Sequence, residues 1–469
     1  MKKVCTFCLV VATLTMAQAQ LSFEKIIGDT DEEDVGRDVI KTSDGGYAVV
    51  GKKEANNNID VYLLRTDANG ATMWEKTFGA TSEEDAYSVI QTADGGFTVL
   101  GLDYASGTFL SKTDGAGNLL WTKSVAPGIR SYDFVKTADN GYALIGEFIG
   151  SGQNYYTYLI RTNSTGDTLW TRKFGEPSKI NIPYALALTA DGGFVLTGET
   201  TSLPSTGEND IFVIRTDATG NLLWDKRFGT PALIEQGYEV LQTGDGGFLV
   251  GGTVIDALTD KSTGTLIKMD ANGDTLWTKQ YGFPQPYFFN QIESIAPTAD
   301  GGYALCGWAG SLAGNIFGYL IKTDASGNAI LTQKYYGAGI CTLRAVVQAD
   351  DGELVATGFT QSSLAAQPDI YFFKTDDLVA IKETEHAAVV AISPNPSAKG
   401  QHWQVAIAGQ ENYAERLWVL SAPDGKIVWE LSSTAAQIEV PVPPRGNHFV
   451  LTVQSKTGAV ISRKLLSVD

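Results

Sequence analysis

Between residues 21 and 377 apolar and polar positions alternate in short runs, and nearly every run ends at a turn containing glycine. A period of two marks half-buried strands, and no stretch carries the spacing of an amphipathic helix. One stretch shows the grammar in full. Residues 86–92, AYSVIQT, run into the turn Asp94-Gly95-Gly96, and Phe97 to Leu102 returns antiparallel. A loop leads to a third run, Thr108 to Thr113, which the Asp114 to Gly117 turn reverses into Asn118 to Ser124 with Trp121. Glycine at these turns permits the positive φ that tight hairpins require. The pattern predicts a four-stranded antiparallel meander of about 50 residues.

That unit recurs. Its first turn returns at Asp44, Asp94, Asp139, Asp191, Asp245, Asp300 and Asp351, at intervals of 50, 45, 52, 54, 55 and 51 residues. Its second turn, DxxGxxxW, is whole at Asp67 to Trp74, Asp114 to Trp121, Asp217 to Trp224 and Asp270 to Trp277; Asn163 to Trp170 and Asp324 to Leu331 vary it. Seven such sheets predict a β-propeller. The seventh unit has no fourth strand after Asp376 and Asp377, and Phe23-Glu24-Lys25-Ile26-Ile27-Gly28 aligns with Trp74-Glu75-Lys76-Thr77-Phe78-Gly79. An unpaired edge is a liability, so the N-terminal strand is expected to pair beside Tyr371–Lys374 and close the ring. The reading is all-β: a seven-bladed propeller over residues 21–381, closed by an N-terminal strand.

A residue present in every blade serves the blade first. The Asp side chains are expected to cap turns, and the Trp rings to fill space between sheets. Lys112, Arg161, Arg215, Lys268, Lys322 and Lys374 at third-strand ends read as a solvated cross-strand ladder. DxxGxxxW resembles the docking repeat of quinoprotein dehydrogenases and, loosely, the Asp-box of sialidase-type propellers. It is one residue shorter than the first and one longer than the second between Asp and Gly, so neither family's functional residues carry over.

Composition and charge set the surroundings. Residues 1–20 read as a signal peptide: Lys2 and Lys3, an apolar run from Val4 to Met16, then Ala17-Gln18-Ala19. No other segment approaches transmembrane length. The mature chain is expected to be secreted or displayed on the outer surface. Formal net charge is −18, and the negative field disfavours nucleic acid. Export leaves Cys306 and Cys341, in adjacent blades, whose pairing the sequence leaves open.

Function is expected on the face carrying the second–third and blade-to-blade loops, such as Lys53–Asp60, Ser202–Asp210 and Val254–Thr265, because the other face has only short uniform turns. Phe283, Tyr287, Phe288 and Phe289 cluster there, as do Tyr155 and Tyr156. They suit stacking on a sugar or a protein patch, and equally suit folding back on the blade ends. Arg37, Tyr87, Tyr132, Tyr184, Tyr238, Glu293 and Arg344 occupy one equivalent first-strand position, forming a ring able to contact a ligand or to plug the channel. The acidic runs Asp31 to Asp34 and Glu83 to Asp85 are candidate Ca²⁺ ligands, equally readable as solvated charge; no other cofactor is expected. His386, His402 and His448 all lie outside the blades, so no histidine base serves the ring and no catalytic residue is assigned. The leading expectation is a binding protein for extracellular glycan or protein. The alternative is a secreted hydrolase or lyase using loop carboxylates.

After a short linker, 382–390, residues 391–469 hold several strand-like runs that predict a small immunoglobulin-like β-sandwich. Pro394-Asn395-Pro396, Asp424-Gly425-Lys426, Gly446-Asn447-His448-Phe449 and Lys464-Leu465 stand in an order that resembles the type A C-terminal sorting domain of type IX secretion in Bacteroidetes-type bacteria. His448 stands where that family usually has Tyr. The resemblance implies that the type IX machinery is a partner and that the chain crosses the outer membrane.

Overall fold

The computed structural model describes residues 21–375 except the short stretches 29–31, 56–57, 80–81, 149–154, 177–178, 202–208, 284–285, 338 and 362–366, together with strands between 389 and 467. The signal-peptide reading and most of the linker lie outside the described residues. The chain divides into two units between Leu378 and Val379.

The first unit is a seven-bladed all-β propeller, with no helix among the described residues. Blade 1 runs Val35–Lys41, Tyr47–Ala55, Asn58–Thr66 and Thr72–Phe78 in that spatial order, and every complete blade repeats the meander. Blade 7 holds Ile340–Gln348, Leu354–Gln361 and Asp369–Thr375, with Leu21–Ile27 as its outer strand. The register is Phe23↔Lys374, Glu24↔Phe373, Lys25↔Phe372 and Ile26↔Tyr371, as the alignment of Phe23 with Trp74 requires.

Each junction between blades has its own apolar core. Val39, Tyr47 and Val49 of blade 1 pack with Ile370 and Phe372 of blade 7, while Phe23 and Ile27 of the closing strand complete that cluster. The repeated Trp belongs to these junctions. A Cβ added at Gly117 in blade 2 would come within 2.6 Å of the Trp74 ring of blade 1, and Trp74 Nε1 donates to Gly115 O at 3.2 Å. Phe23 stands in the same relation to Gly70. Side chains larger than hydrogen would lift each ring off its neighbour.

The basic ladder is not solvated. Arg65, Lys112, Arg161, Arg215, Lys268 and Lys374 are all buried, and each reaches the turn Asp of its own blade, as Lys322 reaches Asp300. Arg215 Nη2 donates to both oxygens of Asp191 at 2.6 Å, while Nη1 donates to Phe194 O at 3.3 Å. The third strand lies inside a four-stranded sheet, so its side chains cannot escape to solvent sideways. The cation therefore runs along the sheet and clamps the first turn. In blades 1 to 6 the Thr before that turn donates to the same Asp, for example Thr243 Oγ1 to Asp245 at 2.5 Å; blade 7 has Ala349 there.

These bonds, led by the threonine donor at Asp94 and Asp245 and by the lysine at Asp300, hold all three acids at a pKa of about 2. A carboxylate whose folded pKa is lowered adds stability that is present above about pH 4 and lost as pH falls toward 2. Melting temperature is expected to drop across that window. Arg215→Met is expected to lower stability by about 1–2 kcal/mol at pH 7 and to flatten the acid-side fall, measured by thermal unfolding from pH 2 to 7. An acid profile parallel to that of the wild type would contradict the clamp.

The second unit contains a three-stranded sheet, Val389–Ser393, His402–Ala408 and Gln437–Pro441, and a four-stranded one ordered Ile427–Ser433, Arg416–Ser421, His448–Ser455, Val460–Ser467.

Candidate functional site: the channel mouth

The first strands of successive blades neighbour one another around the full circle, so they line the central channel. Each is interrupted at one equivalent position, and the blade 6 strand has a second shift between Tyr287 and Phe289. Register shifts fall between Gly36 and Asp38, Ala86 and Ser88, Ser131 and Asp133, Pro183 and Ala185, Gly237 and Glu239, Ile292 and Ser294, and Leu343 and Ala345. The extra residue of each bulge is Arg37, Tyr87, Tyr132, Tyr184, Tyr238, Glu293 or Arg344, which is the ring read from the sequence. A bulge re-aims the side chain it carries.

The bulge depends on a glycine that the sequence reading passed over. Seven residues after every first-turn Asp stands Gly51, Gly101, Gly146, Gly198, Gly252, Gly307 or Gly358, each paired with the residue just before the bulge. A Cβ on Gly51, Gly198, Gly252 or Gly307 would fall 1.9 Å from the opposing carbonyl oxygen, that of Val35, Ile182, Gln236 or Gln291. Only hydrogen fits there.

The ring residues fall into two contacting groups. The Arg37 guanidinium lies 5.4 Å over the Tyr87 ring. Tyr87, Tyr132, Tyr184 and Tyr238 follow with centroid separations of 5.9, 5.7 and 5.0 Å. In blades 6 and 7 Arg344 pairs with Glu293 at 2.7 Å. The tyrosines form an arc across blades 2 to 5, each only partly covered. Their hydroxyls are anchored at the rim: Tyr132 donates to Glu147 at 2.8 Å, Tyr184 to Glu199 at 2.9 Å and Tyr238 to Gln236 at 2.8 Å. Gln236 Nε2 in turn donates to Glu199 Oε2 of the preceding blade at 2.6 Å. Burial pushes all four phenols above their ordinary value, so they remain donors near neutral pH.

One residue deeper lies a layer the sequence did not single out: Asp38, Asp133 and Glu239, in blades 1, 3 and 5. These blades are not neighbours, yet the three carboxyls act on one another electrostatically, which places them around the channel axis. Asp38 Oδ2 accepts Val89 N at 3.0 Å and Ser88 Oγ at 3.1 Å, and Asp133 Oδ2 accepts Leu186 N at 2.8 Å. Each of these two acids thus stitches its blade to the next. Burial, more than mutual repulsion, raises Asp133 to about 7 and Glu239 well above the carboxylate range.

An acid whose folded pKa is raised binds its proton more tightly in the native state. Its effect on stability is therefore unfavourable as pH rises from about 4 to about 7, and flat above. Asp133→Asn is expected to gain about 1–2 kcal/mol relative to wild type at pH 8 over pH 5, read by urea unfolding at both values. A pH-independent difference would remove Asp133 from the channel's charge balance.

The other candidates lie apart from the ring. Phe283 and Tyr287 turn onto Phe317, at 4.9 and 4.7 Å, and the Lys334 ammonium lies 4.8 Å from each of their centroids. Phe288 carries Lys261 at 4.9 Å and Tyr156 carries Lys173 at 4.0 Å. Tyr155 contributes its carbonyl to Asn181 N at 3.0 Å. Of the loops read as variable, Lys53–Asp60 and Val254–Thr265 are largely hairpin, paired as far as Ala55↔Asn58 and Ile255↔Ser262; residues 202–208 lie outside the described residues. In the acidic runs Asp85 is bound to Arg37 at 2.7 Å and Glu33 to Lys52 at 2.5 Å, while Asp31 lies outside the described residues. Among the described residues no group of three or more His, Cys, Asp or Glu is arranged to hold a metal ion. Cys306 and Cys341 are buried free thiols in one core cluster.

Residues 158–367 match the β-propeller repeat family described as outer membrane protein assembly factor BamB. Comparison with curated proteins finds no match. Among solved structures the fold is similar to puromycin hydrolase, at 13% identity and a TM-score of 0.50 over 93% of this chain and 62% of that one. It is also similar to PorZ, a surface component of the type IX secretion system of Porphyromonas gingivalis, at 12% identity and 0.37 over 96% and 75%. A protein of unknown function from Bacteroides caccae matches at 12% and 0.40 over 62% and 94%. These likenesses concern the fold alone.

Proposed function

We propose that this chain is an exported binding protein, released or held at the outer surface, whose channel mouth on the loop side engages a glycan or protein. The observation that carries this reading is the tyrosine arc: four partly exposed rings, three of them fixed at their hydroxyls, set on bulges that every blade repeats. Rigid aromatic surface with anchored polar tips contributes binding area at small entropic cost. Glycan and peptide arrays probed with the mature protein test it. Tyr184→Ala and Tyr238→Ala are expected to weaken the best ligand at least tenfold, and retained binding in both would overturn the site assignment.

The C-terminal unit is proposed to act as the type IX sorting signal, on the strength of its ordered landmarks from Pro394 to Leu465. Deleting residues 391–469 is expected to leave the protein in the periplasm; undiminished surface or medium levels would refute this assignment.

A further inference from the structure

Three observations at the mouth converge on the charge of what enters it. Asp38, Asp133 and Glu239 surround the axis, and none forms an ion pair among the described residues. The nearest ring cations are already committed, Arg37 to Asp85 and Arg344 to Glu293. Without a cationic partner burial keeps protons on the layer, and a cation brought to these oxygens would supply the missing partner and favour their ionised form.

Above it, only the Tyr87 end of the arc is covered by a cation, Arg37. Tyr132, Tyr184 and Tyr238 present ring surface without one among the described residues. A ring face attracts a positive charge, and more strongly away from water.

At the rim, Glu147 is 4% exposed, holds the Tyr132 hydroxyl through Oε1 and has no hydrogen-bond partner on Oε2. Its nearest cation, Arg130, stands at 3.9 Å from Oε1. Glu147 Oε2 is thus a buried acceptor with spare capacity beside Tyr132, next to Arg130 Nε, a buried donor equally without a partner.

Resting on the channel-mouth reading above, we propose that the group taken up here is a protonated alkylamine, the lysine side chain of a polypeptide. A lysine stem is thin and apolar along its methylenes and charged only at its tip. The arc offers apolar wall first and carboxyl oxygens one residue deeper, roughly 3 Å further along the strand. An amino sugar can stack its C–H face on a tyrosine, but it carries its charge on a broad ring edged with hydroxyls and not at the tip of a thin stem able to pass the arc to the deeper acids. The order of surfaces, aromatic then anionic, matches the lysine.

Calorimetric titration of the mature protein tests this with 1,5-diaminopentane and N-acetyl-lysine methylamide, against 1-pentanol and glucosamine. Saturable binding of both amines and not of pentanol is expected, weakened at least tenfold in Glu239→Gln and in Asp133→Asn. Thermal unfolding of each variant guards against simple misfolding, and the two positions serve as independent checks. Absence of saturable amine binding, equal affinity in both folded variants, or a preference for glucosamine would each overturn the proposal. Array ligands that depend on Tyr184 but ignore both acid substitutions and acetylation of their amines would leave the mouth as the site and remove the lysine.

Discussion

Gly252→Ala is expected to lower stability by about 3 kcal/mol or more, whereas Gly246→Ala, six residues earlier in the same blade, is expected to cost about 1 kcal/mol. The contrast isolates two uses of glycine. Gly246 sits at φ +82° in a turn, and a Cβ added there would have nothing within 4 Å, so alanine meets only backbone strain. At Gly252 the Cβ would fall 1.9 Å from Gln236 O. The pair of strands must part, and the carbonyl that moves belongs to the residue holding both the Tyr238 hydroxyl and Glu199. Loss of stability should therefore come with loss of the arc's order at Tyr238, read from urea unfolding together with tyrosine ring resonances. A Gly252→Ala cost no greater than that of Gly246→Ala would show that the bulge tolerates a side chain.

This glycine shows where sequence reading succeeded and where it stopped. Blade number and ring closure were legible because turn chemistry is local: Asp and Gly at fixed offsets announce each hairpin, and Phe23 in the place of Trp74 announces the missing strand. The glycine at Asp plus seven is just as periodic, but its reason is a contact with a neighbouring strand. A bulge adds one residue to an alternating pattern, and a single shift in period two is hard to separate from an ordinary irregularity. The ring positions could thus be aligned while their contacts could not.

The buried cations were misread for a related reason. Lys and Arg at a strand end usually reach water; the meander already places Arg215 and Lys268 on an inner strand, but only the structure shows them buried with the turn Asp in reach. The acid layer carries no residue type common to every blade. Asp38, Asp133 and Glu239 alternate with Ser88, Ala185 and Ser294, and their meaning arises from facing a common axis.

Removal of residues 21–28 is expected to have the largest effect of any change to the propeller. The closing strand covers the edge of Asp369–Thr375 along its length, and Phe23 joins the two ends of the ring, lying 5.1 Å from Phe372 in blade 7 and 6.2 Å from Tyr47 in blade 1. Glu24 adds a hydrogen bond from the Tyr371 hydroxyl at 2.7 Å. Without the strand, blade 7 exposes a long flat edge and the blade 7–blade 1 core loses Phe23 and Ile27. Such an edge pairs with another chain when it cannot pair with its own. The truncated protein is expected to associate, with amide exchange accelerated in Asp369–Thr375 and Val35–Lys41 more than in blade 4. A synthetic peptide of residues 21–28 supplied in excess should restore both the monomer and the protection. Phe23→Ala, which keeps the strand, should cost about 2 kcal/mol without association. A truncated chain that stays monomeric with unchanged exchange at Asp369–Thr375 would mean that the ring holds without its clasp, and the geometry of the mouth would then need another source.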